Sequence, residues 1–329
     1  MKQYRPVLAT LLLCTFSMTA CADEHTRPLE IMSRPIPFAT GDDAPQSVGN
    51  LQHLGSLRLT SPDPNFGGIS GLIVAPDGRK FLAITDASHW LTGELQYTGK
   101  RLTGMTGTEI GPLLDLDGKA LVGKQGDAEG LAGTLDGDVY VSFEGNHRLW
   151  RYPFGTKGLA AKPSLVPTPK DLQNAPDNNG LEAITLLKDG RLLAITEEYL
   201  DDNGNIKGWL LSLNGQSPVD LLFRRRAPFD ITDARQLPDG DILTLERRFN
   251  RVGGVGFEMR RFAQASLKPG APIDGALVAD AAMNFNIDNM EGLSVRTGAG
   301  GETLVYAISD DNFNAPLQQN LLMLFELKR

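Results

Sequence analysis

Carboxylates recur along this chain at a spacing that could gather them in one place. Glu129, Glu182, Asp233 and Glu291 each open a short apolar run, and Ser70 holds the equivalent place in an earlier one. A second set, Asp86, Glu144, Glu197, Glu246 and Asp310, closes the run that follows. Nine converging carboxylates repel one another strongly. Such a cluster persists where protons, hydrogen bonds or a cation neutralise it. Oxygen-only donors suit a hard cation, and calcium accepts several carboxylates together with amide and backbone oxygens. Calcium is therefore the expected cofactor, with Glu129, Glu182, Asp233, Glu291 and Asp310 as its expected ligands. Glu182 or Glu291 would also serve as a general base. His89 and His147 stand three residues after Asp86 and Glu144 and are the other candidate bases. Arg148, Arg247 and Arg248 follow the second set, and arginine pairs bidentately with carboxylate or phosphate. With Ser70 and Asn312 they form the expected binding set for an anionic substrate. The same residues have plainer readings. A strand-start acid can accept backbone N–H groups, the arginines can neutralise neighbouring acids, and Ser70 can simply make room.

Something must bring these residues together, and the repeats say what. Each copy runs from its anchor through a strand, a tight turn and a second strand ending in the second acid. Asp77-Gly78, Asp136-Gly137, Asp189-Gly190 and Asp239-Gly240 supply four of the turns, and Gly298 to Gly301 the fifth. The anchors at 70, 129, 182, 233 and 291 recur every 51 to 59 residues. A period in the fifties built from short strands and hairpins is the signature of a β-propeller. The expected fold is thus all-β, a propeller of four-stranded blades. Five blades are favoured, and six would need residues 23–69 to form a degenerate blade. Residues 321–327 would supply a late strand of the last blade and residues 51–59 its outer strand. In such a ring the anchors and second acids lie at the same end of every blade, around the channel mouth.

Composition bounds the rest. The chain has 329 residues, a net charge of −8 and only two cysteines. Acidity of this order argues against nucleic-acid binding and against an anionic membrane surface. Lys2 and Arg5 precede an apolar run from Val7 to Met18, which reads as a secretory signal over residues 1–22. Two exits compete: cleavage before Asp23, or a lipobox that would lipidate Cys21. Both cysteines, Cys14 and Cys21, lie in this segment. Residues 23–49, punctuated by Pro28, Pro35, Pro37 and Pro45, read as an extended arm, and residues 50–329 as the propeller. The expected place is the bacterial cell envelope, periplasmic or secreted, with a lipid anchor as the variant. No transmembrane span is expected, and the chain reads as a monomer.

Gly67-Gly68-Ile69-Ser70-Gly71-Leu72, the Glu129-Gly130-Leu131 and Glu182-Ala183-Ile184 copies, Leu245-Glu246-Arg247-Arg248-Phe249 and Ser309-Asp310-Asp311-Asn312-Phe313 resemble the bacterial "esterase-like activity of phytase" family. The resemblance runs over about residues 50–329 and implies a secreted or envelope propeller of hydrolase class. Similarity to the calcium-dependent propeller phytases goes no further than architecture. No Gly-x-Ser-x-Gly elbow and no zinc spacing occurs. The expected activity is metal-assisted hydrolysis of a small anionic ester or phosphoester. Two alternatives stand beside it, a non-catalytic envelope propeller that binds a sugar, phosphate or protein, and a lactonase-type hydrolase with a histidine base.

Overall fold

A computed structural model describes residues 26–39, 41, 45–250, 253–315 and 317–328. The proposed signal segment and Cys21 lie outside the described residues. The chain forms five antiparallel blades around a channel. The innermost strands are Ile69–Val74, Ala128–Gly133, Leu181–Leu186, Asp230–Gln236 and Asn289–Thr297. Each is followed by a hairpin partner, respectively Lys80–Thr85, Val139–Phe143, Arg191–Leu200, Ile242–Asn250 and Thr303–Asp310. The Asp-Gly turns have a local cause. Gly78, Gly190 and Gly240 take φ of 77°, 84° and 103°, a region that suits glycine. The preceding aspartates accept the backbone N–H two residues on, as Asp77 does from Arg79 at 2.8 Å.

Both faces of each blade are buried, which is why the second strands read as unbroken apolar runs. In Phe81-Leu82-Ala83-Ile84, Phe81 and Ala83 pack toward the fifth blade, whereas Leu82 and Ile84 pack toward the second. Five such clusters fill the spaces between successive blades. The ring closes as expected: Asn320–Leu327 pairs antiparallel with Leu51–Thr60 in the last blade. Among the described residues the arm adds three strand pairings, one of them the short Ser47–Val48 against Leu51–Thr60. Arg27–Pro28 extends the first blade, and Met32–Ile36 extends the last. Among the described residues no helix is long and apolar enough to cross a membrane.

A bulge interrupts every innermost strand near its start, and its register corrects one expectation. Pairing steps from Ile69↔Thr85 to Gly71↔Ile84, so Ser70 is the extra residue; Glu182 and Glu291 are extra in their blades. In the fourth blade the step runs from Ile231 to Asp233, so the extra residue is Thr232. A one-residue slip turns a side chain to the opposite face. Asp233 therefore leaves the anchor ring and occupies the place of Gly71, Gly130 and Gly292. Across the hairpin, Ala234 pairs with Thr244 as Leu72 does with Ala83. The residue matching Asp86 is thus Arg247, not Glu246. Glu246 instead is buried against Arg260, whose Nε donates to it at 2.5 Å.

The displaced Asp233 has a different task. Its carboxylate accepts the backbone N–H groups of Ala234 and Leu293, each at 2.7 Å, and pairs with Arg235. Arg235 in turn donates to the carbonyls of Leu72 at 3.0 Å, Leu131 at 2.7 Å and Ile184 at 3.0 Å. From the fourth blade this pair thus reaches the other four. Burial pushes Asp233 up to about 7, against the lowering pull of Arg235 and the two N–H groups. Arg235→Met would strand a buried carboxylate and leave three carbonyls without this donor. We expect a loss of about 3–5 kcal/mol, a fall in melting temperature on the order of 10 °C. Thermal unfolding by circular dichroism checks this, and an unchanged transition would rule out the central role.

Candidate functional site

One channel mouth is a funnel of about 320 Å³ lined almost wholly by polar groups. The bulges bring in Ser70, Glu129, Glu182 and Glu291, and the hairpin partners bring in Asp86, Glu144, Glu197, Arg247 and Asp310. Asp127, Asn178, Gly68 and Asn312 complete the wall. A bulge pushes its extra residue out of the ladder and re-aims the side chain, which is how a strand otherwise buried on both faces presents a glutamate to the channel. Gly130 permits the close packing beneath: a Cβ there would stand 2.4 Å from the Glu182 carbonyl oxygen.

Arg247 organises one side of the funnel. It donates to Asn289 Oδ1 and Glu197 Oε1, both at 2.9 Å, and its Nε lies 3.3 Å from Glu291 Oε1. Asn289 also donates to Glu291 at 2.7 Å. Burial disfavours the guanidinium charge, but Glu291, Glu197, Glu182 and Glu129 outweigh it and raise the Arg247 pKa. Neutralisation of neighbouring acids, the plainer of the two readings for Arg247, is thus built into the wall.

Among the described residues the other side has no such cation in contact. Asp127, Glu129 and Glu144 each bring a carboxylate oxygen within 4.8 Å of the others. Glu144 accepts the Gly180 N–H. Glu182 is 7% exposed and, among the described residues, has no hydrogen bond or ion pair. Buried carboxylates without partners hold their protons. Burial, reinforced by Glu197, takes Glu144 up to about 8 despite the Gly180 N–H. Burial takes Glu291 up to about 8 against the pull of Arg247. Asp86 rises to about 7 and Asp310 to about 6, again chiefly by burial. Glu129 and Glu182 are raised well above the usual carboxylate range, by burial and then by neighbouring glutamates. The donors are all hard oxygens, they are crowded, and one of them, Asp86 Oδ1, is buried without a hydrogen-bond partner among the described residues. That set fits a calcium-class cation, with Asp127, Glu129 and Glu144 nearest to a ligand cluster.

The remaining sequence candidates lie elsewhere or are engaged. Ser70 lines the funnel, but its hydroxyl donates to the Ala128 carbonyl at 2.6 Å, tying the first blade to the second. Thr232 makes the equivalent bond to Met290 O at 3.1 Å. Asn312 lines the mouth at φ 47°, its N–H held by Asp310 at 2.8 Å. His89 and His147 do not line the funnel. His147 Nε2 faces the carbonyls of Ala175 and Pro176, and burial lowers the His89 pKa. Arg148 lies over the rings of Phe143 and Trp150, at 3.9 and 4.4 Å, and Arg248 over Phe229 at 5.2 Å. Asp127 and Asn178 were not among the sequence candidates. Asp127 stands two residues before an anchor, in Asp-Ala-Glu, a signal that could have marked it.

A family model described as "Phytase-like: Esterase-like activity of phytase" matches residues 64–313. No protein with a curated description matches the chain. Among solved structures the chain is similar to a gluconolactonase from Xanthomonas campestris (10% identity, 91% of this chain and 99% of that chain, TM-score 0.42). It is also similar to a glucose dehydrogenase (12% identity, 83% and 98%, TM-score 0.43) and a luciferin-regenerating enzyme (10% identity, 79% and 92%, TM-score 0.39).

The raised carboxyls predict a pH signature. Each binds its proton more tightly in the folded chain than in the unfolded one. Stability therefore falls as pH rises from the unfolded value through the folded one. Burial holds His53 down at about 4, so its contribution changes only below about pH 6.5. In chelator, the melting temperature is expected to fall between about pH 6.5 and 8.5 as Glu144 and Glu291 ionise. Millimolar calcium should remove most of that fall. A flat profile in chelator would refute this account of the funnel.

Proposed function

Since this chain belongs to the phytase-like family, esterase-like activity of phytase, we propose that it is an exported, calcium-dependent hydrolase of a small anionic carboxylic or phosphoric ester, acting in the acidic funnel. Glu182, a largely buried residue that makes no hydrogen bond or ion pair among the described residues in a wall of hard oxygen donors, carries this reading. Asp127, Glu129 and Glu144 would hold the ion, with Asp86, Asp310 and Asn178 within the same mouth. Calcium there would offset the negative charge of the carboxylates and polarise the ester oxygen. Glu182 is the better base of the two glutamates proposed from the sequence, because Glu291 is committed to Arg247 and Asn289. Ionised once a cation offsets the charge of its neighbours, it would take a proton from the attacking water as the new oxygen bond forms, and return it to the departing alcohol oxygen. Ester and water thus give acid and alcohol. Arg247 acts as a positioning residue that fixes Glu197 and Glu291.

A lactonase-type reaction with a histidine base would have to draw on His89 or His147, and neither lines the funnel. Export rests on the character of residues 1–22, and the cell envelope is the corresponding place of action.

The test uses an aryl phosphate, phytate and a short-chain aryl ester, with calcium and with chelator. Turnover of one class is expected, and chelation should abolish it. Glu182→Gln should lower kcat by about 10²–10⁴-fold with little change in KM, while His89→Ala and His147→Ala keep most activity. Calcium-raised stability without turnover of any ester would instead identify a binding propeller. Full activity in Glu182→Gln would remove the proposed base.

A further inference from the structure

The channel has a second mouth, where the innermost strands turn into their hairpin partners. On that side of the Arg235 guanidinium lies a cavity of about 370 Å³, walled by the C-terminal ends of all five innermost strands. Its character is the reverse of the funnel's. Ile73, Ala132, Leu135, Leu186 and Val295 supply an apolar wall, and the charged lining residues are Lys188, Arg235 and Arg296. No carboxylate residue is among its described lining. Asp233 neutralises Arg235. The other two cations have only neutral partners. Lys188 Nζ donates to the Pro238 carbonyl at 2.5 Å, and Arg296 Nε to the Tyr306 hydroxyl at 2.9 Å. Among the described residues neither makes an ion pair.

We propose that this cavity is a second ligand site, for an organic monoanion with an apolar body, such as a medium-chain carboxylate. Apolar walls with a few convergent polar groups, at this volume, are the ordinary form of a small-molecule site. Two uncompensated cations select the sign of the ligand, because a carboxylate gains charge-assisted hydrogen bonds that a neutral group cannot match. An inorganic anion would leave the apolar wall unused, and a cation would meet Lys188 and Arg296. This site is independent of the hydrolase reading, since the Asp233–Arg235 pair separates it from the funnel.

Calorimetric titration of the purified protein with octanoate tests it, with 1-octanol as the neutral isostere. Octanoate is expected to bind saturably, one per chain. Octanol, and octanoate against the Lys188→Gln/Arg296→Gln double variant, should each be weaker by at least about tenfold. Glu182→Gln, in the opposite mouth, should leave octanoate affinity unchanged. Where the double variant does not fold, Lys188→Gln alone serves, since that head group touches only backbone carbonyls. The proposal is overturned by absence of saturable octanoate binding, by equal binding of octanol, by unchanged affinity in the folded variant, or by loss of binding in Glu182→Gln.

Discussion

The Asp233–Arg235 pair is the constraint on which the ring depends. Five sheets packed side by side meet at an axis where innermost strands expose carbonyl and N–H groups that have no ladder partner across the channel. Buried backbone groups of this kind need partners. One arginine answers for three carbonyls, of Leu72, Leu131 and Ile184, and one aspartate answers for the N–H of Leu293. Because both side chains come from one blade, the fourth blade acts as the hub. The other four keep glycine or alanine where Asp233 stands, and a second large side chain in that layer would not fit. The same pair divides the channel into two chambers of opposite electrical character.

That division explains how so many acids coexist. The funnel does not distribute its charge evenly around five equivalent blades. In the fourth blade the ring position of the second acid is taken by Arg247, and that of the anchor by Thr232. The ring thus carries its own cation on one side, paired with Glu197 and Glu291, and among the described residues leaves Asp127, Glu129, Glu144 and Glu182 without an ion pair on the other. Protons supply the deficit below the raised pKa values of the wall, and a bound hard cation would supply it without protonation. An asymmetric ring of this form fixes where a ligand ion would sit, which a five-fold ring would not.

The blade count, the hairpins and the closure of the last blade were legible in the sequence, because Asp-Gly turns and unbroken apolar runs are local signals with local causes. The register was legible in four blades and misleading in the fourth. There Asp233 and Glu246 carry the expected residue types one position away from the expected places, and a shift of one in a strand exchanges its faces. No single-residue signal separates Thr232-Asp233 from a genuine anchor; only the bulge does. His89 and Arg148 open the third strands of their blades, His147 lies in the turn before one, and Arg248, next to Arg247 in a second strand, points to the opposite face; each is thereby carried away from the channel. The lower cavity was invisible for a related reason. Its lining residues are unremarkable in type, and become a site only because five strands end together.

Closure of the ring also sets an order of events. The last blade is assembled from Leu51–Thr60 and Asn320–Leu327, and the arm residues Met32–Ile36 lie on the outer edge of that same blade. A chain emerging N-terminus first therefore holds one strand of that sheet from the outset and waits for the rest. Until the final strand arrives, Leu57 and Leu59 cannot reach the positions they hold between the last blade and the first. The propeller is in this sense a timer read from its own termini: nothing built on a complete ring, neither funnel nor lower chamber, exists before the whole chain has been delivered.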